Sequence, residues 1–486
     1  MRMKTIMRCK LVPLLYRELK PLGLLDKGGV LLACVSGGAD SVALLHGLAR
    51  LRESHDFSLA AVHVEHGLRG EASMKDAAFV KELCRELFVP LHLYQVDAFK
   101  AMETLRCGME EAARILRYEC FAKAMAECGA GAVLLAHHGD DQAETVLMHI
   151  MRGGGPAGLS GMAPSAPFAG GLLVRPLLSL RHETLVKALM EEGLPWREDE
   201  TNSQPDGLRN RLRLQVLPML ESMAPGCTAA ICRTAAVTNA EEQWWREETG
   251  GWLRANARMA PGLSFLNREA LRKKHTAYQR RVIRAFWEKA AEAMDVSVDR
   301  GMAVLDFCKT EELLDCVAGH GGSAVNLPGN VRGERSAKRF FLLPPVKAAA
   351  PLEMKLSLSG ETRYEGLTFT AVPWQPGMDM GDGIRRQALD VGLLGSAVLR
   401  ARRPGDRFRL LHGEGSQPLK ETLIDRHVDR PFRDRLPLLA MGRDVLWIPG
   451  IGPSGAAAVR PDTAGGVLLT VKGPLPWEAA EEDQAY

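Results

Sequence analysis

The amino-acid sequence predicts an α/β protein: an N-terminal doubly wound parallel sheet, then a mostly helical middle domain and a small mixed α/β C-terminal domain. Three observations carry this expectation. Short apolar runs alternate with amphipathic helical stretches through residue 152. The ends of those runs carry glycine-rich or acid-rich turns. From about residue 219 the pattern turns helical, and short β-like segments return after a Pro/Ala-rich break at 344–353.

The elements follow in order. GVLLACV (29–35) reads as a buried strand ending in a glycine-rich turn, and SVALLHGLARL (41–51) carries helical periodicity. SLAAVHV (58–64) is a second strand, followed by HGLRG and a helix through DAAFVKELCREL (76–87). PLHLYQV (90–96) is a third strand. From Met109 to about Cys128, the spacing of Ala112, Ile115, Leu116 and Phe121 predicts a helix with one buried face. AVLLAH (132–137) is a fourth strand and DDQAETVLMHIMR (140–152) the next helix. Strands apolar along their whole length belong to parallel sheets covered on both faces. Ligands of such sheets bind at the C-terminal ends of the strands, where SGGADS, HGLRG and HHGDD all fall. One shared site is expected there. Further on, runs near 226–256 and 265–293 read as helices, and RYEGLTFTAVPW, DVLWIPG and GVLLTVKG as strands. The expected division is 1–218 catalytic, 219–345 helical, 346–395 a linker with short strands, 396–473 C-terminal and 474–486 an acidic tail.

Bulk properties narrow the function classes. The 486 residues allow about three domains. With 46% hydrophobic and 25% charged residues the composition is globular, and a net charge of +3 argues for no polyanion by itself. None of the ten cysteines forms a C-x-x-C pair, so reduced thiols in a cytoplasmic protein are expected. Charges interrupt the basic N-terminus, unlike a signal peptide, and no stretch approaches the roughly 18 apolar residues of a membrane span.

The chemistry-bearing motifs are three. In SGGADS, two glycines let the backbone approach an anion, and amides at a helix start form a nest for phosphates. Ser36, Gly37, Gly38, Ala39, Asp40 and Ser41 are therefore the candidate nucleotide-binding residues. No lysine follows, so this is not a Walker loop; an ordinary capped turn is the competing reading. In AHHGDDQAETVLMHIMRGGG (136–155), Asp141 and Glu144 are three residues apart and share the first turn of a helix. With Asp40 they can form a negative pocket for Mg²⁺ or a cationic substrate, although an acid-rich helix start is also favoured by the helix dipole. In EEAARILRYECF (110–121), Arg114 and Arg117 can clamp a phosphate, or else form a solvent-facing basic edge. Three basic regions outside the sheet suit a large phosphate-bearing partner: RNRLR (209–213), residues 268–284, and residues 400–435 with ten Arg or Lys against six Asp or Glu. GGGPAG (153–158) follows a helix and is not a dinucleotide turn; His137-His138 lacks metal-ligand spacing, so no metal site is expected; Trp244 and Trp245 are read as packing residues.

Taken together, SGGADS (36–41), HVEHGLRG (63–70), EEAARILRYECF, AHHGDDQAETVLMHIMRGGG, RPLL (175–178) and TNSQPDGLRNRLRLQVLP (201–218) resemble the tRNA(Ile)-lysidine synthases, and LRARRPGDRF (399–408) resembles the start of that family's terminal domain. The resemblance implies a cytoplasmic PP-loop ligase. It would use ATP with Mg²⁺ to adenylate the wobble cytidine of tRNA(Ile) with a CAU anticodon, release pyrophosphate, and let free L-lysine displace AMP. It further implies that Asp40, Asp141 and Glu144 bind lysine, that Arg114 or Arg117 steadies the α-phosphate, and that His137 assists near the adenylate. The basic regions would hold the tRNA, and assembly as a homodimer is compatible with the reading. The chain departs from the family in Glu65, usually Asn, and in Lys420, where relatives often have two adjacent lysines. Two alternatives are a PP-loop tRNA sulfur-insertion enzyme, which typically uses a C-x-x-C pair absent here, and a non-catalytic ATP- and tRNA-binding module.

Overall fold

A computed structural model describes residues 11–65, 71–105, 107–198, 207–260, 262–296, 305–345, 353–411, 413, 415–460, 463–473 and 475. The HGLRG segment, residues 201–206 of the TNSQPD stretch and the acidic tail beyond 475 lie outside the described residues. The chain forms two compact units, residues 1–244 and 245–486.

The first unit opens with α1 (Leu11–Leu19), β1 (Asp26–Cys34), α2 (Ala39–Leu51), β2 (Asp56–Glu65), α3 (Glu71–Glu86), β3 (Leu91–Gln95) and α4 (Ala98–Leu105). It continues with α5 (Met109–Cys128), β4 (Ala130–Leu134), α6 (Gly139–Met151), α7 (Gly155–Leu159), β5 (Ser165–Phe168), β6 (Gly171–Val174) and α8 (His182–Glu192). The sheet order is β3-β2-β1-β4-β6-β5, parallel except for β5. From β1 the chain winds outward through β2 and β3, then returns to place β4 on the other side of β1. The crevice at the C-terminal ends of β1 and β4 is therefore the topological switch point.

The pleat explains the uninterrupted apolar strands. Leu31 and Ala33 of β1 join a core with Leu11, Leu15, Leu44, Leu48, Leu185 and Leu189 from α1, α2 and α8. Leu32 joins the opposite core with Phe121, Ala124 and Met125 of α5. Each face is covered, so neither side of the strand is polar. The bounds expected for α5 match, and Gly129, in left-handed conformation with φ of 66°, ends it. The antiparallel β5–β6 hairpin was not expected: each strand has four residues, too few to show a period, and Pro167 in β5 is tolerated because that strand is at the edge.

Gly47 sets the spacing of α1 and α2. A Cβ there would lie 2.6 Å from Leu15 Cδ1 and 2.9 Å from Leu11 Cδ2. Gly47→Val is expected to lower stability by about 1–3 kcal/mol through overpacking. Thermal unfolding checks this; an unchanged midpoint would mean that α1 repacks freely.

Three more helices follow: α9 (Gly207–Arg211), α10 (Leu217–Met223) and α11 (Cys227–Asn256). A single π-turn, Leu212–Val216, joins the first two, and the division between units falls within α11. The second unit begins with β7 (Ala257–Arg258), β8 (Ser264–Asn267), α12 (Arg268–Arg272), α13 (Thr276–Ala293), α14 (Phe307–Ala318), β9 (Ala324–Asn326), β10 (Arg332–Arg335) and β11 (Arg339–Leu343). The 226–256 run is helical as expected, but the 265–293 run opens as strand β8 and divides into α12 and α13, and with them comes a five-stranded sheet, β7-β8-β11-β10-β9, that the helical pattern did not announce. Val282, Ile283, Phe286 and Trp287 of α13 pack with Phe340 and Leu342 of β11.

The remainder comprises β12 (Glu353–Lys355), β13 (Gly360–Tyr364), β14 (Leu367–Trp374), β15 (Arg386–Asp390), β16 (Val398–Arg400), β17 (Arg407–Arg409), β18 (Ser416–Pro418), α15 (Leu419–Asp425), α16 (Arg430–Arg433), β19 (Leu438–Met441), β20 (Asp444–Ile448), β21 (Gly452–Pro453) and β22 (Gly466–Lys472). The short strands expected between 346 and 395 exist, and each belongs to a sheet. β12 pairs with β16, and β14 and β15 flank β22 along its length. Pairing partners a hundred residues away are not visible in a local pattern.

Candidate active site at the β1–β4 switch point

The loop between β1 and α2 is braced from within. Ser41 is buried, and its Oγ accepts from the Ser36 and Gly37 amides at 3.1 and 3.2 Å and donates to the Gly38 carbonyl at 2.9 Å. Gly37 has φ of 98°, a conformation costly for any residue with a Cβ, and its carbonyl accepts from the Arg197 amide at 2.9 Å. Ser36 Oγ lies 3.2 Å from Ser41 Oγ. Ala39 is buried as the first residue of α2, and Asp40 follows with its carboxylate partly exposed. The turn thus ends with a helix N-terminus facing the crevice, the geometry that binds anions.

The β4–α6 connection supplies the other wall. His138 is the N-cap of α6: its Nδ1 accepts from the Asp140 and Asp141 amides at 3.2 and 3.5 Å, while Asp141 Oδ2 accepts from the His138 amide at 3.0 Å. This reciprocal capping box holds Asp141 in place. His138 Nε2 lies 3.6 Å from Asp40 Oδ2 and 3.4 Å from Asp141 Oδ2. Burial opposes protonation of His138, but Asp140, Asp141 and Asp40 outweigh it and raise its pKa. Arg181 Nε and the His182 amide donate to Asp140 at 2.7 and 2.8 Å. Burial works against that carboxylate, yet these donors and His138 hold its pKa well below the usual range.

His137 differs sharply from its neighbour. Arg175 Nε donates to its Nδ1 at 3.3 Å, and burial together with Arg175, Arg209 and His138, against Asp141, pushes its pKa down to about 4. It is a neutral imidazole with Nδ1 as acceptor. Of the two arginines on α5, Arg114 stacks over Tyr118 at 5.3 Å from the ring centroid. Arg117 lies within electrostatic reach of Cys34, at the end of β1, and of Arg209.

Asp141 and Glu144 share a face of α6 as their spacing requires, but their partners come from α9 and the turn after it. Glu144 is fully buried and accepts from Arg209 Nε at 2.7 Å and Arg213 Nε at 2.6 Å. Asp141 Oδ1 accepts from the Nη2 atoms of the same two arginines at 3.1 and 2.9 Å. The acids and RNRLR, read separately in the sequence as a negative pocket and a polyanion contact, are one four-charge cluster. The four-residue spacing of Arg209 and Arg213, complementary to the three-residue spacing of the acids, was the available signal. Asp40 meets a residue that sequence reasoning missed altogether: His182 Nδ1 lies 2.8 Å from Asp40 Oδ1. That hydrogen bond raises the pKa of His182 against partial burial. No motif marks His182.

The downstream basic regions are also partly spoken for. Arg268 donates to the Val317 and Ala318 carbonyls at the end of α14, and Arg280 pairs with Glu311 at 2.7 Å. In the terminal part, Arg402, Arg403, Arg407 and Lys420 line a cleft of about 530 Å³ together with Asp406 and Asp434. Trp245 packs edge-on to Tyr278 under Arg281, whereas Trp244 is 54% exposed. The described cysteines are free, and no described helix is long and apolar enough to cross a membrane.

Comparison with known proteins agrees with this geometry. A PP-loop domain model matches residues 13–220, and a TilS substrate C-terminal domain model matches residues 397–469. The tRNA(Ile)-lysidine synthase of Symbiobacterium thermophilum is 33% identical, the match covering 93% of this chain and 95% of that protein. The chain belongs to the tRNA(Ile)-lysidine synthase family. The Dehalococcoides mccartyi synthase is 31% identical over 92% of this chain and 96% of its own length, and that of Caldanaerobacter subterraneus is 27% identical over 91% and 94%. The matched segments of this lysidine-synthase family member include both walls of the crevice and the cleft lined by Lys420.

Proposed function

We propose that this chain is an ATP-dependent ligase that joins lysine to carbon 2 of the wobble cytidine in tRNA(Ile) bearing CAU, releasing AMP and pyrophosphate. One observation carries the reading beyond family membership. Asp40, from the phosphate-binding turn, and Asp141, from the acid-rich helix, both reach His138 Nε2, at 3.6 and 3.4 Å. The cradle for pyrophosphate and the acids for an ammonium group therefore form one continuous site, as two consecutive half-reactions on one base require.

In the first half-reaction the O2 oxygen of cytidine attacks the α-phosphorus and pyrophosphate leaves. The helix start at residues 36–41 stabilises the departing charge, and Arg117 or Arg114 the α-phosphate. Mg²⁺ enters with ATP on the phosphate oxygens. In the second, the lysine amine attacks carbon 2, the bond to the adenylate oxygen breaks, AMP departs, and the amine loses a proton. Asp40, Asp141 and Glu144 form the acid set for lysine, and neutral His137 stands beside the adenylate as a hydrogen-bonding group. Glu144 is covered by Arg209 and Arg213, whose side chains are 42% and 33% exposed, so direct use of Glu144 needs those arginines to swing outward. The cleft at Arg402, Arg403, Arg407 and Lys420 is the candidate tRNA contact of the second unit.

The test is incubation with ATP-Mg, labelled lysine and a CAU-bearing isoleucine tRNA. Label is expected on the tRNA. Pyrophosphate release without label would favour sulfur insertion or another PP-loop chemistry, and neither product would favour a binding module.

A further inference from the structure

We propose that Asp40, His138 and His182 form a binding site for a borderline divalent transition metal ion, Zn²⁺ in type, whose occupation removes Asp40 from the amino-acid pocket. One ligand atom from each residue lies within 4.8 Å of the other two. His182 Nδ1 is 2.8 Å from Asp40 Oδ1, and His138 Nε2 is 3.6 Å from Asp40 Oδ2. Bond lengths of about 2.0–2.2 Å to an ion between them put donor atoms a little over 3 Å apart, so the Asp40–His182 pair must open slightly and the Asp40–His138 pair close slightly. His182 is half-exposed at the start of α8, and a side-chain rotation supplies the adjustment.

The surroundings are those of a built site. His138 Nδ1 stands 3.4 Å from Asp140 Oδ2, and Asp140 is itself fixed by Arg181 and the His182 amide. A carboxylate behind the ligating histidine orients the ring and strengthens it as a ligand. In the metal-bound form Nδ1–H donates to Asp140 in place of its long amide contacts. Two imidazoles and one carboxylate select Zn²⁺ or Co²⁺ over Mg²⁺, which prefers oxygen donors and retains its water. Asp141 Oδ2, 3.4 Å from His138 Nε2, borders the same space. Nothing in the spacing of residues 40, 138 and 182 marks the set; only the switch point brings them together.

The consequence for lysine rests on the proposed function: metal and lysine compete for Asp40. The test uses the full-length protein and Co²⁺ alone as probe, without ATP or tRNA. One Co²⁺ is expected to bind with the visible absorption of nitrogen and oxygen ligands, at an affinity lowered at least tenfold by His182→Ala, and excess free lysine is expected to displace it. Equal binding by the His182→Ala protein, or a thiolate-to-cobalt charge-transfer band, would overturn the site. Metal bound at His182 but untouched by lysine would overturn the competition. Metal binding is read independently of lysine transfer, so a protein that binds Co²⁺ yet never labels tRNA defeats the functional reading and leaves the site standing.

Discussion

Asp141→Asn is expected to weaken lysine use by about a hundredfold while leaving pyrophosphate release little changed, because a buried charge contact is worth roughly 2–5 kcal/mol. Arg209 and Arg213 face Asp141 and Glu144, two against two. Asparagine keeps the shape and can still accept from both arginines through its carbonyl oxygen, so the arginine contacts survive and only the capping bond from the His138 amide is lost. The charge does not survive. Two guanidinium groups then face a single carboxylate, and an arriving ammonium meets net repulsion where the cluster had been balanced. In the proposed mechanism the adenylation half-reaction depends on the 36–41 turn and the α5 arginines, with which Asp141 makes no hydrogen bond. Measuring lysine-dependent AMP release and lysine-independent pyrophosphate release separately decides the matter. Equal loss of both would assign Asp141 to the first half-reaction or to holding the crevice together through its capping box.

Arg400→Met is expected to destabilise the second unit by about 3–5 kcal/mol, the cost of leaving a buried charge without its partner. Arg400 and Asp406 are 1% and 2% exposed and form a bidentate pair at 2.9 and 2.8 Å. Arg400 also donates to the Gly442 and Ala401 carbonyls at 2.8 and 2.9 Å, and Asp406 accepts the Arg403 amide at 2.8 Å. Removing the guanidinium strands the carboxylate between β16 and β17. The double replacement Arg400→Met with Asp406→Leu is expected to recover much of the loss, since two apolar groups need no partner. Unfolding followed by hydrogen exchange in residues 396–473 gives the readout. A single variant as stable as the original chain would show that water reaches Asp406 and that the pair does not organise the domain.

These two pairs also show how far the sequence could be read. Asp141 and Glu144 were legible as a pair because a three-residue spacing places them on one helix face whatever else the chain does. Arg400 was not legible as a core residue. In LRARRPGDRF it is one cation among several, with nothing to distinguish it from Arg402 and Arg403, which line the cleft. The helical middle was visible as far as its helices. Its sheet was not, because strands of two to five residues carry no measurable period and take their meaning from partners far along the chain. The same holds for β12, β14 and β15, which look like strands in a linker until β16 and β22 pair with them.

What the sequence determined by itself was the parallel sheet, the strand ends that meet at the crevice, and the residue types at the glycine-rich turn and the acid-rich helix. Those follow from local rules: the periods of helix and strand, the conformational freedom of Gly37, and the capping of helix starts. What only the tertiary structure decided was which charge meets which. Glu144 finds Arg213 across 69 residues, and Asp40 finds His182 across 142. Electrostatic partnership depends on distance in space, which folding around the β1–β4 switch point sets and the order of residues does not reveal.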